Sequence, residues 1–244
     1  MIPKIIHYCW FGGGDYTEKV KMCIASWHRF LPEYEIRLWN EDNVDLNESP
    51  YIRDAYTAGK YAFVSDYVRM KVLEEHGGIY LDVDMEVKQP LDKFLKYRCC
   101  LGTDDSGDVE TMMMAEPHHP LLQNLKQEYQ NRPFLLPDGT MNLEVVNMIM
   151  NKFMYPLGFK RINERQSLKE GIEVYPDEYF QGVSLVTGKP HFTENTHIVH
   201  WHTLLWVSWK TRLIRFIRMK IIVPIIGKNL YTKFRDFIKQ TYIK

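Results

Sequence analysis

The spacing of apolar residues predicts an alternation of strands and helices from the start of the chain. An apolar run at residues 4–11 predicts a buried strand, and the glycines at 12–14 end it. Apolar positions at helical spacing follow over residues 19–30, and residues 34–39 alternate as a half-buried strand does. A strand, a helix and a strand in this order predict a right-handed βαβ unit.

The second part of the pattern is a helix that leads into an acidic strand end. Residues 63–76 predict a helix that stops at Gly77 and Gly78, and residues 79–87 predict a strand whose apolar start runs into acids. Further strands are predicted at residues 99–103, 111–115, 172–176 and 196–201, and further helices at residues 51–58, 120–130 and 143–153. The predicted fold class is therefore α/β, with a Rossmann-like domain at residues 1–209 and a helical tail at residues 210–244.

Composition agrees with a folded domain, but the charge is divided unevenly. Apolar residues make up 45% of the chain and charged residues 25%, which is typical of a globular protein. The formal net charge is zero, yet residues 210–244 carry ten Lys or Arg and one acid, which leaves residues 1–209 with a net charge of −9. A body of this sign binds nucleic acid poorly, so nucleic acid is excluded as a partner.

The cysteines and the N-terminal segment bear on location. The four cysteines form no C-x-x-C pair, so neither a zinc site nor a disulfide framework is predicted. The sequence shows no signal-peptide pattern and no apolar run of about 18 residues. We expect a reducing, cytoplasmic location.

Asp82 and Asp84 are the most specific chemical feature. Residues two apart on an extended chain point to the same side, so both carboxylates would face one site. They lie at the C-terminal end of a predicted strand, where open α/β sheets bind ligands. Two carboxylates suit Mg²⁺ or Mn²⁺, which completes its shell with phosphate oxygens and water. The alternative is a solvated turn, because two aspartates at this spacing also occur by chance.

Asp66 and Arg69 are the second candidate pair. They are three residues apart on a predicted helix and share a face. They form either a surface ion pair, which contributes little to stability, or a polar pair directed at sugar hydroxyls, with Arg69 also near phosphate. The run Met112–Met114 predicts a core strand, with a methionine-lined acceptor groove as the alternative.

Together these motifs resemble glycosyltransferase family 32. The resemblance is dense over residues 3–90 and lies in three motifs, in this order: His7-x-x-Trp10-x-Gly12-Gly13, Ser65-Asp66-x-x-Arg69 and Gly77-Gly78-Ile79-Tyr80-Leu81-Asp82-Val83-Asp84. The family includes yeast-type mannosyltransferases and bacterial capsular-polysaccharide enzymes, and the sugar-transferring domains of large clostridial toxins look related. The resemblance implies a single nucleotide-sugar-binding domain of the GT-A type and transfer with retention of anomeric configuration.

The resemblance also implies which residues bind the donor. Trp10 would stack on the nucleotide base, with Ile6 and Tyr8 nearby, and Asp66 and Arg69 would hold the donor sugar. The chain departs from the family pattern at Glu110-Thr111-Met112, where relatives often carry Asn.

The metal ligands follow from the same resemblance. Asp82 would contact ribose or sugar and reach the metal through water, and Asp84 would ligate the metal directly. The family's late His and Ser-Trp motif falls, in one register, on His200 as a third ligand and Trp206 as a donor-binding residue, with Leu205 in place of the Ser. A structural role for His200 on a strand is the alternative. The shifted register uses His202, Ser208 and Trp209.

The resemblance implies metal-dependent transfer of a sugar to a saccharide or lipid-linked saccharide in surface or capsular polysaccharide synthesis. A UDP-sugar fits a bacterial enzyme of this size, and GDP-mannose is the alternative donor. Two other functions compete: a metal-dependent hydrolase or phosphotransferase, and a non-catalytic sugar-binding protein. The first lacks a nucleophile motif, and the intact acidic motif argues against the second.

The basic tail places arginines and isoleucines on neighbouring faces of a predicted helix. Such a helix either lies on an anionic membrane surface or packs on the body and shows its charge to water. We favour peripheral contact with the inner face of the plasma membrane.

Overall fold

The computed structural model of the protein describes residues 1–203, 209–228 and 230–234. Its strands are β1 (Ile5–Cys9), β2 (Glu35–Trp39), β3 (Gly78–Tyr80), β4 (Met85–Val87), β5 (Cys99–Thr103), β6 (Val109–Ala115), β7 (Gln166–Ser167), β8 (Ile172–Tyr175) and β9 (Ile198–His200). Its α-helices are α1 (Glu18–Phe30), α2 (Pro50–Thr57), α3 (Tyr61–His76), α4 (Pro120–Asn131), α5 (Val146–Met154), α6 (Asp177–Phe180), α7 (Trp209–Ile217) and α8 (Val223–Ile226).

Seven strands form one mixed sheet in the order β2-β1-β3-β6-β5-β8-β7. The first three are parallel, and α1 connects β1 to β2. The helix forms because Thr17 caps its first turn and because Val20, Cys23 and Trp27 recur at helical spacing and are buried. The predicted βαβ unit and the predicted α/β fold class are therefore confirmed.

Strand β6 runs antiparallel between β3 and β5, and a separate two-stranded sheet pairs β4 with β9. The pairing of β4 with β9 sets Met85 opposite His200. Trp27 of α1 donates from Nε1 to the carbonyl of Met85 at 2.7 Å and so ties this small sheet to the body.

Apolar side chains fill both faces of the large sheet. Helices α2 to α5 cover one face and α1 lies on the other, so alternate strand residues enter different clusters. Met113 belongs to the first cluster, whereas Met112 and Met114 belong to the second, and all three are fully buried. The prediction that these methionines form a core strand is confirmed.

The strand predicted at residues 79–87 is wrong in one respect, because the chain turns within it. Strand β3 ends at Tyr80, and β4 starts at Met85 in the other sheet. The amide of Met85 donates to the carbonyl of Asp82 at 2.9 Å and closes a turn between the two strands. Asp82 and Asp84 thus lie on a turn that follows a strand, and extended alternation does not set their directions.

Helix α7 continues through a π-helical stretch at Arg218–Ile222 into α8. Among the helices described, none is long and apolar enough to cross a membrane. The boundary between body and tail at residues 209 and 210 stays a prediction.

Gly78 offers a test of how closely β1 and β3 approach. Its φ is +105°, and a Cβ there would lie 2.6 Å from the carbonyl oxygen of Ile5. Because backbone atoms cannot yield, we expect Gly78→Ala to lower the free energy of unfolding by at least about 2 kcal/mol in urea denaturation. Gly139→Ala is the control: φ is +81° and nothing lies within 4 Å, so only about 1 kcal/mol of backbone strain is expected. Equal losses for both variants would contradict this packing.

Candidate active site

A cavity of about 490 Å³ opens at the carboxyl ends of β1 and β3. Its walls come from the segments that follow these two strands, from α3, from the start of β6 and from the chain after β9. Ligands bind at this edge of α/β sheets because neighbouring parallel strands both end there and leave their following loops free to form a site.

Arg69 lies at the floor of the cavity between two aspartates. Its Nη2 donates to Asp82 Oδ1 at 2.8 Å and lies 3.6 Å from Asp66 Oδ1. The guanidinium also lies over the ring of Tyr80, 4.3 Å from its centroid. Only 3% of the Arg69 side chain and 12% of the Asp66 side chain are exposed. The interpretation of this pair as a surface ion pair is therefore wrong, because helix α3 presents both residues to the interior.

Asp84 is held by the chain that follows β9. Its Oδ2 accepts from the amide of Thr203 at 2.7 Å and from the Thr203 hydroxyl at 2.9 Å. Its Oδ1 lies 3.2 Å from His200 Nε2. Asp82 Oδ2 lies 4.0 Å from the same nitrogen and accepts from the Thr111 hydroxyl at 2.7 Å. The two aspartates of the motif thus converge on one imidazole.

Glu110 completes this cluster from the start of β6. Its Oε1 accepts from Thr111 Oγ1 at 2.9 Å and lies 2.8 Å from His200 Nδ1. His202 stacks on His200 with ring centroids 3.7 Å apart, in a left-handed backbone conformation with φ of 50°. A positive φ in a residue other than glycine is a local strain that cavities and active sites often hold.

Burial and charge together set the protonation states of this cluster. Burial would raise the pKa of Asp84, but His200 and Thr203 hold the pKa well below its usual range. Burial also acts against the charge of His200, yet Asp84 and Glu110 raise the pKa of His200 well above its usual value. Glu110 in turn has a pKa lowered to about 2, chiefly by His200 against the effect of burial. The metal-free protein therefore holds an imidazolium between two carboxylates.

The donor atoms fit a divalent cation. Ligands on adjacent corners of an octahedral Mg²⁺ or Mn²⁺ site lie about 3 Å apart, and the Asp84 oxygen and the His200 nitrogen are 3.2 Å apart. Glu110, His200 and His202 also form a group whose possible ligand atoms lie within 4.8 Å of one another. Within the described part of the chain, Glu110 Oε2 and His202 Nε2 are buried without a hydrogen-bond partner, so the cluster keeps polar atoms able to take a further contact.

The residues predicted around the nucleotide base divide into two groups. Trp10 lines the cavity and is half-buried, with its Nε1 donating to the carbonyl of Gly14 at 3.2 Å. Ile6 is fully buried in β1, and Tyr8 packs edge-on against Trp27, so both lie in the core cluster on the α1 side of the sheet. Neither is among the residues that line the cavity.

The structure describes only part of the C-terminal segment on which the two predicted registers differ. His200 and His202 both line the cavity, whereas Trp206, Leu205 and Ser208 lie outside the described residues. Glu110, Thr111 and Thr203 are cavity residues that the sequence prediction did not include. Glu110 and Thr111 were detectable as a polar pair at the start of the methionine strand.

Asp66 provides a test of the buried charge. Burial, with Asp82 nearby, raises the pKa of Asp66 to about 7, although Arg69 opposes the shift. The folded state therefore disfavours ionised Asp66, and its contribution to stability is lost as pH rises from about 4 through 7. We expect the melting temperature of Asp66→Asn, relative to wild type, to increase between pH 5 and pH 8.5 in chelator. A pH-independent difference, or an equal trend for the exposed control Asp42→Asn, would contradict this.

Comparison with known proteins finds one family model and several similar chains. Residues 17–101, which contain Asp66, Arg69 and both aspartates of the motif, match the family model described as "Glycosyltransferase sugar-binding region containing DXD motif". The PaToxG glycosyltransferase structure is 18% identical, with a TM-score of 0.49 over 64% of this chain and 68% of that chain.

Two yeast proteins are similar in sequence. Inositol phosphoceramide mannosyltransferase 2 of Schizosaccharomyces pombe is 32% identical over 152 residues, which cover 59% of this chain and 43% of that protein. Mannosyl phosphorylinositol ceramide synthase CSH1 of Saccharomyces cerevisiae is 30% identical over 143 residues, which cover 54% of this chain and 37% of that protein. The chain thus spans about two fifths of the length of these relatives. Over residues 17–101, about a third of its length, the chain is thus similar to the glycosyltransferases whose sugar-binding region contains a DXD motif.

Proposed function

We propose that the protein transfers a hexose from a nucleotide-diphosphate sugar to a lipid-linked or saccharide acceptor in a metal-dependent reaction. The observation that carries the proposal is the convergence of Asp82, Asp84 and His200 in one cavity with Arg69. A hydrolase would need a group that activates water for attack on the sugar or phosphate. The sequence offers no nucleophile motif for this reaction. A non-catalytic binding protein would not need the buried charges of Arg69, Asp84 and His200 together beside the cavity.

Asp84 and His200 would hold the cation, with Asp82 beside them. Mn²⁺ suits the set because it accepts imidazole together with carboxylate ligands. Bound there, the ion supplies positive charge that stabilises the departing nucleoside diphosphate. Because imidazole must lose its proton to become a ligand, we expect binding to strengthen as pH rises.

The chain's own residues would position the sugar. Arg69 stays charged, and Asp82 and the Tyr80 ring fix its orientation. Among the described residues, its buried Nε and Nη1 have no hydrogen-bond partner, so they remain able to donate to oxygens of the donor. Asp66 is close enough to share this role as an acceptor for sugar hydroxyls, and Trp10 supplies an aromatic face for the base. Preorganised donors of this kind need no rearrangement when charge develops.

The identity of the donor is a more specific part of the proposal. A UDP-sugar stays the prediction from the sequence, and the mannosyltransferases among the relatives support GDP-mannose as the alternative. Transfer with retention of configuration, and a role in capsular or other surface polysaccharide, belong to the same proposal.

The tail supports a lipid-linked acceptor and a cytoplasmic, membrane-peripheral location. Ten large apolar side chains of residues 213–234 are 37% to 77% exposed, with Ile225 and Ile214 the most exposed. Exposed lysines lie among them at positions 210, 220, 228 and 233. A helix that packed its apolar face on the body would show the opposite arrangement. Apolar surface flanked by lysines suits an anionic bilayer.

The tail contacts the body at the cavity rim. Arg215 donates to the carbonyl of His202 at 3.1 Å, and Arg218 donates to the carbonyl of Leu185 at 3.0 Å. His202 and Leu185 both line the cavity. A membrane bound by the tail would therefore lie near the opening through which an acceptor enters.

Release of free nucleoside diphosphate from a panel of UDP-sugars and GDP-mannose tests the reaction. We expect release that depends on Mn²⁺ and on added acceptor, and that stops with chelator. Asp84→Asn should lower turnover on the order of a hundredfold or more, because it removes a charged ligand. The control Asp45→Asn, an exposed aspartate, should match wild type. Release that needs no acceptor would support the hydrolase, and full turnover by Asp84→Asn would refute the proposed site.

Vesicle co-sedimentation tests the tail. We expect the protein to bind vesicles that contain phosphatidylglycerol and to bind pure phosphatidylcholine weakly, with binding that falls as salt rises. Ile214→Asp combined with Ile225→Asp should weaken binding at least about tenfold, because two apolar contacts are lost and two negative charges added. Leu135→Asp combined with Leu143→Asp is the control, since these exposed leucines lie on the body. Equal binding by both double variants would contradict the membrane contact.

A further inference from the structure

Glu110 is a buried charge that the reaction, as proposed, does not use. Only 2% of its side chain is exposed, and it lines the cavity from the start of β6. Its partners are the Thr111 hydroxyl and His200, both on Oε1. Taking a carboxylate out of water is costly, and a neutral amide could accept the same two hydrogen bonds with less desolvation. Hydrogen bonding alone therefore does not explain why a charged residue occupies this position.

The geometry of His200 supplies that reason. Its two ring nitrogens face different carboxylates: Nδ1 lies 2.8 Å from Glu110 Oε1, and Nε2 lies 3.2 Å from Asp84 Oδ1. An ionised carboxylate can only accept, so Nδ1 donates its proton to Glu110. With the proton fixed on Nδ1, the lone pair of neutral His200 lies on Nε2, the nitrogen that faces Asp84. A histidine that ligates a metal commonly donates its other ring N–H to a carboxylate in this way.

We propose that Glu110 is a positioning residue that fixes the Nδ1–H tautomer and the ring orientation of His200 and so presents Nε2 to the cation shared with Asp84. This inference rests on the proposed metal dependence. The negative charge of Glu110 also makes His200 Nε2 a stronger electron-pair donor. A neutral residue at position 110 would not have this effect. Thr111 holds Glu110 in place and also contacts Asp82, so one hydroxyl links the positioning residue to the acidic motif.

A competing arrangement would use Glu110 as a direct ligand. Glu110, His200 and His202 offer ligand atoms within 4.8 Å of one another. In that arrangement His200 would turn Nδ1 toward the ion and leave Nε2 to pair with Asp84. The two arrangements predict different sets of essential residues. Ours requires Asp84 and His200, whereas the competing one requires Glu110 and His202.

Mn²⁺ binding to the full chain, measured by electron paramagnetic resonance with UDP and GDP in parallel, separates them without reference to turnover. We expect Glu110→Gln, which keeps an acceptor but loses the charge, to weaken the Mn²⁺ Kd by about tenfold, and Glu110→Ala to weaken it by up to about a hundredfold. His200→Ala should abolish specific binding, and His202→Ala should change the Kd by less than Glu110→Ala. Glu173→Gln, a buried carboxyl on β8 away from the cavity, is the matched control and should leave the Kd unchanged.

The tautomer provides a second readout that a merely structural role would not change. In ¹⁵N–¹H spectra of the histidine side chains with Mg²⁺ bound, wild type and Glu110→Gln should show His200 protonated on Nδ1. Glu110→Ala should show a mixture of tautomers, and melting curves in chelator will show that each variant is folded.

The outcomes separate this inference from the proposed function. Unchanged Mn²⁺ affinity in both Glu110 variants would overturn the positioning role and leave the metal dependence intact. Loss of binding in Glu110→Gln and His202→Ala as complete as in His200→Ala would make Glu110 a direct ligand and also overturn it. If the wild-type chain binds no Mn²⁺ with either nucleotide, the metal dependence fails and this inference fails with it.

Discussion

The pairing of β4 with β9 is the constraint on which the site depends. It sets Met85 opposite His200, and the amide of Trp201 donates to the carbonyl of Asp84 at 3.1 Å. These backbone bonds bring a histidine from the end of the body to an aspartate more than a hundred residues earlier. Because backbone hydrogen bonds fix both β4 and β9, the distance between the Asp84 carboxylate and the His200 imidazole is set before any ligand binds.

Around this pairing, the cavity concentrates charges that would be unfavourable if isolated. Arg69 offsets Asp66 and Asp82, and His200 offsets Asp84 and Glu110. Each buried carboxylate thus has a cation within reach, yet unpartnered atoms remain on Arg69, Glu110 and His202 among the described residues. A network that folding leaves partly unsatisfied is suited to a charged ligand that completes it. The buried charges that suit the cavity to a charged ligand are therefore also charges whose removal from water disfavours folding.

The tail joins the same region from outside the sheet. Its arginines bond to backbone carbonyls at the cavity rim, while its isoleucines and phenylalanines face water. Lys228 adds an ion pair to Asp105 at 3.1 Å. These polar contacts hold the tail to the body together with the buried Val223, while ten large apolar side chains of the tail stay exposed. The position of the tail is thereby linked to the cavity rim through the carbonyls of Leu185 and His202.

The sequence by itself determined the βαβ start, the helix with Asp66 and Arg69, and the acidic motif, because these depend on local periodicity and on spacing along one segment. It also carried the resemblance to a glycosyltransferase family, since the three motifs lie within one stretch of about 80 residues, and the family model matches residues 17–101, which hold the second and third of them. Only the tertiary structure decided that Asp82 and Asp84 lie on a turn and that Ile6 and Tyr8 belong to the core. It also decided that Glu110, Thr111 and Thr203 share the cavity. These facts depend on strand pairings between distant segments, and no local pattern records which strand meets which.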